Sequence, residues 1–395
     1  MKDGERPWQV AAKLLPELER ASATNMQSLI SSAWVIVYAH EEFTKGVEIM
    51  EGLKQYPSAE AEAGFGYLGN RDGLVRLTNG ILRDDRAFVI SRPDWIAMYT
   101  KQVAFEYGCC QAWLFEGLET IKGLAQKRLK EKGWNNLRPA LSVTVRAAIM
   151  RASIDGNLRQ EPQAGVHYLR RALDLLEWGR SIWENVPGDD RGEIFEDTFV
   201  IGVRGMYLKV FSEAYYTDPG LNSKFPLEHL KKEAEDLLKE TELAPTLMKE
   251  KVDPGFLLSF INYPAGIAHS MIGLYHVEMA QYCADPRERM SSFMNGSRAY
   301  LLAAGEYPVD DELHPLYLNR ILDLMGNAGG HVSDFITVAD HLRELAPKMR
   351  KIWAVSALAQ GGRDQRIQAN LDRARDFMKR VAEGTLMPGN SIPLS

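Results

Sequence analysis

The sequence predicts an all-α protein built from antiparallel helix hairpins stacked on one another. Apolar residues recur at helical spacing through most of the 395 residues, most densely from Leu141 to Pro245. That stretch is punctuated at Asp155-Gly156, Pro187-Gly188, Pro219-Gly220 and Pro245, which divides it into hairpins. No run of apolar–polar alternation flanks an Asn-Gly or Asp-Gly turn, so strands are not expected.

Residues 7–20 read as a short helix on Val10, Leu14, Leu15 and Leu18. Thr24 is a candidate cap for a helix through Ala39, with a second helix following to Tyr56 and stopping at Pro57. Residues 58–73 are small and Gly-rich and read as a loop or hinge. Leu74 to Ile90 reads as a helix weakened by Gly80. Pro93 fits the first position of a long helix to about Arg128, with Gly133 and Pro139 marking the next turn. Helices then follow at about 140–155, 163–185, 193–217, 226–243, 264–283, 287–306, 313–327, 332–345, 348–360 and 364–383. The last of these, Arg363 to Ala382, puts Ile367, Leu371, Ala374, Met378 and Val381 on one face and six basic residues elsewhere. A helix of that kind caps a stack, one face inward and the rest in water. Residues 384–395 read as an irregular tail, and 1–383 as one helical-repeat domain.

An internal repeat supports the stack. Gly205-Met-Tyr207 leads to Asp218-Pro219, and Gly273-Leu-Tyr275 leads to Asp285-Pro286. Each is followed by a second helix that runs into proline, at Pro245 and Pro308; Pro57, Pro187 and Pro347 end similar segments. Gly205 and Gly273 would let helices approach closely, and the tyrosines would fill the gaps between layers. The spacing Gly296…Tyr300…Ala303…Pro308 resembles the second helix of a tetratricopeptide repeat, Ile272-Gly273 with His276 resembles its first helix, and Phe335…Ala339…Leu342…Pro347 is similar. The chain thus resembles the TPR-like helical-repeat proteins of fungal type. The interval from Gly273 to Gly296 is about twice what a 34-residue repeat allows, and the family's peptide carboxylate clamp is not carried over because its positions are not identifiable in this sequence. The resemblance implies an α-solenoid or closed superhelix whose concave surface takes a peptide, a protein or a second copy of the chain.

Net charge is −6, which disfavours nucleic acid as a partner because that binding needs a basic face. Cys109, Cys110 and Cys283 have no CxxC spacing and are odd in number, which points to free thiols and a cytoplasmic, reducing setting. The start of the chain has no signal-peptide h-region, and its end has no peroxisomal address. The longest apolar run, Leu29 to Ala39, falls well short of the roughly 20 residues of a membrane span.

Four constellations could carry chemistry. Asp189-Asp190-Arg191-Gly192-Glu193 resembles the first metal motif of class I terpene synthases, whose carboxylates hold Mg²⁺ against a diphosphate. The second motif of those enzymes is missing, and the same acids suit a helix start. Gly64-x-Gly66-x-x-Gly69 fits a dinucleotide fingerprint in spacing but lacks the preceding strand. His269 and His276 share one helix face, as do His331, Asp334 and His341, and either set could bind zinc or move protons. No cysteine has an activating neighbour. The leading expectation is a binding or scaffold protein with no cofactor. The alternative is a Mg²⁺-dependent enzyme acting on an isoprenoid diphosphate, with Asp189, Asp190 and Glu193 as ligands. Pocket candidates are Trp178, Trp183, Tyr207, Phe211, Tyr275 and His276, for a peptide, a protein or a small apolar ligand.

Overall fold

In the computed structural model, residues 4–58, 65–90, 92–247 and 252–393 are described, and the chain is all-α apart from one short hairpin. The helices are α1 (Pro7–Ser22), α2 (Ser32–Glu51), α3 (Gly73–Arg83), α4 (Trp95–Cys110), α5 (Leu118–Lys132), α6 (Trp134–Arg159), α7 (Pro162–Ile182), α8 (Gly188–Arg191) and α9 (Asp197–Thr217). Then come α10 (Leu227–Leu247), α11 (Pro254–Leu257), α12 (Tyr263–Ala280), α13 (Pro286–Glu306), α14 (Leu313–Met325), α15 (Val332–Trp353), α16 (Ala357–Gln360) and α17 (Arg363–Ala382). A π turn at Leu258–Asn262 joins α11 to α12. No described helix is long and apolar enough to cross a membrane.

Several boundaries differ from the sequence expectation. One helix, α2, runs straight through His40-Glu41-Glu42, because its apolar residues from Ala33 to Ala39 and again at Phe43 and Met50 stay buried. The expected loop over 58–73 is framed by strands β1 (Lys54–Pro57) and β2 (Phe65–Leu68), antiparallel with Lys54 opposite Leu68 and Pro57 opposite Phe65. Neither strand has a buried face, so no apolar–polar alternation marks them in the sequence. The expected long helix from Pro93 to Arg128 is two, α4 and α5, broken where Gln111 turns left-handed (φ 50°) and the Trp113 amide donates to Thr144 Oγ1 at 3.0 Å. Pro347 sits inside α15, and α10 likewise continues past Pro245 to Leu247. The helix expected over Leu74 to Ile90 forms only as far as Arg83, where Asp84 turns extended, and Gly80 has a packing reason: a Cβ there would lie 2.8 Å from the Ala39 carbonyl oxygen and the Phe43 amide nitrogen on α2.

The chain forms two compact units. The central unit, Tyr38–Pro219, holds α3 to α9 and the second part of α2. In it α6 packs on α3, α4, α5 and α7, and α7 on α9. Its core gathers Phe43, Leu74, Leu77, Ile81, Trp95, Tyr99, Val143 and Met150, with Trp95 stacked on Tyr99 at 5.4 Å.

The terminal unit combines the segment through Val37 with Gly220–Ser395. Here the long helices pack in chain order: α10 on α12, α12 on α13, α13 on α14, α14 on α15 and α15 on α17. Glycines on α12 receive tyrosines. A Cβ at Gly266 would meet the Tyr307 ring at 2.4 Å, and one at Gly273 would meet the Tyr300 ring at 3.0 Å. Tyr300, Tyr317, Tyr307 and Tyr263 then follow one another with ring centroids 4.8–5.8 Å apart. The tail expected to be irregular is tied down: Ile392 is buried and its amide donates to the Gly330 carbonyl.

Candidate functional site

The acidic turn of the central unit does not assemble into a metal site. Asp189 and Asp190 are exposed in the first turn of α8, where they favour the positive end of a four-residue helix without capping it. Glu193 accepts a hydrogen bond from Arg146 Nη2 at 2.6 Å. Among the described residues no three His, Cys, Asp or Glu are grouped to hold a metal ion. The pocket candidates are divided between the units. Trp183 is packed by Trp134, Trp178 and Phe195, with centroids 5.0–5.7 Å away, and a Cβ on neighbouring Gly179 would lie 2.3 Å from Phe195. Tyr207 and Phe211 are buried against each other at 5.7 Å. Trp183, Tyr207 and Phe211 form packed interior, with Trp178 half-buried beside Trp183. Tyr275 and His276 are half-buried on α12 in the terminal unit, with Lys231 Nζ over the Tyr275 ring at 5.1 Å.

The other motifs also resolve into packing. Gly64 lies outside the described residues; Gly66 faces Tyr56 across the hairpin, and Gly69 faces Leu53. No βαβ unit surrounds them among the described residues. His331 precedes α15 and bridges to Ser391, while the His341 ring lies 6.3 Å from that of His314. His269 and His276 do share a face of α12, and burial lowers the pKa of both below the usual 6.5. All three cysteines are free, and Cys109 is exposed. On the central unit a cleft of about 370 Å³ is lined by Met50, Glu51, Leu53, Arg92, Met98 and Lys101, and Arg92 there is already paired with Glu51 and Asp94.

Two buried polar sites escaped sequence reasoning. The first is the acidic run Asp310-Asp311-Glu312 in the terminal unit. Asp310 accepts from Ser31 Oγ (2.6 Å) and from the Ser32 amide (2.8 Å), where α2 begins. Asp311 accepts from the Leu313 amide (2.8 Å), where α14 begins, and from the Tyr263 hydroxyl. Glu312 accepts from Arg363 Nη1 (2.6 Å), on the first residue of α17, and from Ser356 Oγ. Consecutive acids thus serve three helix starts. The second site is Glu106 on α4, fully buried in the central unit. Its Oε1 accepts from the Leu74 amide at the start of α3 (2.9 Å) and from Gln102 Nε2 (2.8 Å), while Oε2 has no partner. Desolvation outweighs those hydrogen bonds and pushes the carboxyl up to about 7.

A third feature faces water. On α13 the residues Gly296, Ala299, Tyr300, Ala303 and Ala304 are buried against neighbouring helices. The opposite side carries Arg287, Met290, Met294, Arg298, Leu301 and Leu302, all exposed, the four apolar ones between 37% and 57%. This row is the candidate functional surface, since a solvent-facing helix side is ordinarily polar. Comparison with known proteins returns no matching family model, no matching curated protein and no matching solved structure.

Proposed function

We propose that the protein is a TPR-like helical-repeat binding protein and that its terminal unit carries the binding surface. Chain-order packing of α10, α12, α13, α14, α15 and α17, keyed by glycine–tyrosine contacts, supports the helical-repeat reading. The observation that carries the binding reading is the outward row of α13. Met290, Met294, Leu301 and Leu302 keep much of their surface in water although the same helix has an inner face that accepts apolar groups. About half of each side chain is already covered, so each Leu or Met forgoes roughly 1 kcal/mol of burial, which a partner would recover. The buried carboxylates of this unit are occupied with helix starts, which leaves the surface rather than the interior as the working part.

The test is site-specific photo-crosslinking in an extract of the protein's own cells. A photoreactive residue at Leu301 should give a discrete adduct that is absent when the same residue replaces Met378, an exposed methionine on α17, and is lost when Met294→Glu is added. A second copy of the chain would appear as an adduct of twice the mass. Equal labelling at both positions, or none at Leu301, contradicts the proposal.

A further inference from the structure

We infer that the outer row of α13 docks an amphipathic helix whose apolar ridge is flanked by Asp and Glu; this rests on the binding reading above. Arg287, Met290, Met294, Arg298, Leu301 and Leu302 stand at i, i+3, i+7, i+11, i+14 and i+15, which is one stripe of a helix. The direction of that stripe is fixed, because Gly296, Ala299, Tyr300, Ala303 and Ala304 fill the inner side. The stripe is a straight ridge about 22 Å long, the length of about four helical turns. Helices pack ridge into groove, so a second helix covers such a surface with little adjustment. Strand addition is not an option on a helix, whose backbone hydrogen bonds are internal.

Chemistry selects the partner's flanks. Met290, Met294 and Leu301 form the apolar line of the stripe, and the two arginines, about 16 Å apart along the axis, run beside that line, between it and Leu302. Guanidinium forks take carboxylates in paired hydrogen bonds, so acids spaced three turns apart on the incoming helix match both. Glu288, the acid next to Arg287, falls on another side of α13 and does not oppose this. Two methionines in the row supply flexible, polarisable contacts that tolerate variation in the partner's ridge. A lipid surface is the weaker match: two cations and no aromatic side chain on the face are fewer anchors than interfacial helices carry.

The experiment uses the full-length chain and three probes followed by fluorescence anisotropy or co-sedimentation. One is a labelled synthetic helix with leucines at i, i+3, i+7 and i+11 and glutamates on both flanks; another is its lysine-flanked isomer; the third is vesicles of mixed phosphatidylcholine and phosphatidylserine. The expected result is that the glutamate helix binds about tenfold or more tightly than the lysine helix. That binding should weaken with added salt, fall again by about tenfold in Met294→Glu/Leu301→Glu, and fall to the level of the lysine isomer in Arg287→Glu/Arg298→Glu. Equal binding of the two helices, glutamate-helix binding that survives both double variants, or vesicle binding abolished by Met294→Glu/Leu301→Glu would each overturn the inference. If neither helix binds while the Leu301 adduct still forms, the partner class is wrong and the binding reading stands. If both experiments fail, the binding reading falls with it.

Discussion

Asp189-Asp190 with Glu193 in the central unit and Asp310-Asp311-Glu312 in the terminal unit are nearly the same chemistry set in opposite surroundings. The first pair lies in water at the start of a four-residue helix, and only Glu193 has a strong partner, Arg146. The second run is half-buried to buried, and each acid holds a different helix start. Glu106 adds a third case: a buried carboxyl that holds α3 but has one oxygen without a partner. The difference teaches how a folded chain disposes of an acid. Water solvates it, a cation and hydroxyls pair it, or a proton neutralises it. Only the second route makes the carboxylate a fixed part of the fold while still charged.

The largest expected effect lies where the pairing is complete. Arg363 and Glu312 are both buried, so Arg363→Met leaves Glu312 without its cation and should cost about 3–5 kcal/mol, read from urea unfolding midpoints. Adding Glu312→Leu should recover most of that loss, since a buried pair can be replaced by apolar groups at little cost. If the double variant is no better than the single one, the pair is doing more than neutralising itself.

Glu106 should show the intermediate effect. Its folded pKa near 7 lies above the ordinary 4.5, so the folded state holds a proton that the unfolded state has released. The stabilisation is therefore complete below about pH 4.5 and is lost as pH rises through 7, flattening above it. Asp72, Tyr99, Cys110 and Arg146 are the charged or titratable groups that act on or respond to it. Stability profiles from pH 5 to 8 should fall by the equivalent of about one proton in the native chain, and Glu106→Gln should remove that slope. An unchanged slope in Glu106→Gln would assign the titration to another group.

The smallest effect belongs to the exposed turn. Asp189→Asn with Asp190→Asn should move stability by less than about 0.5 kcal/mol, and added Mg²⁺ should leave the Tm of the native chain unchanged. A Tm rise with Mg²⁺ and diphosphate that the double variant abolishes would restore these acids as ligands and break the comparison.

Much of the helical plan was legible because periodicity is local: α7, α12, α13, α14 and α17 lie within a few residues of their expected spans. Proline misled at Pro347, which α15 accommodates in its interior, and the break at Gln111 is made by a left-handed residue other than glycine, with only Gly117 before α5 to mark it. The acidic runs could not be ranked from sequence. Asp310 reaches an amide 278 residues away, and a cap supplied from so far carries no local pattern. The only signal was an acidic run just after Pro308, between helices rich in buried residues. The outer row of α13 was present as spacing, yet nothing in the sequence said which side of that helix faced water.

The most direct measurement of the central claim is the methyl NMR spectrum of the methionines, titrated with the glutamate-flanked helix. Signals of Met290 and Met294 should shift together and saturate, while those of Met50 and Met98 in the central unit stay in place. Shifts confined to other methionines, or none at Met290 and Met294 at saturating peptide, would contradict the assignment of α13 as the docking surface.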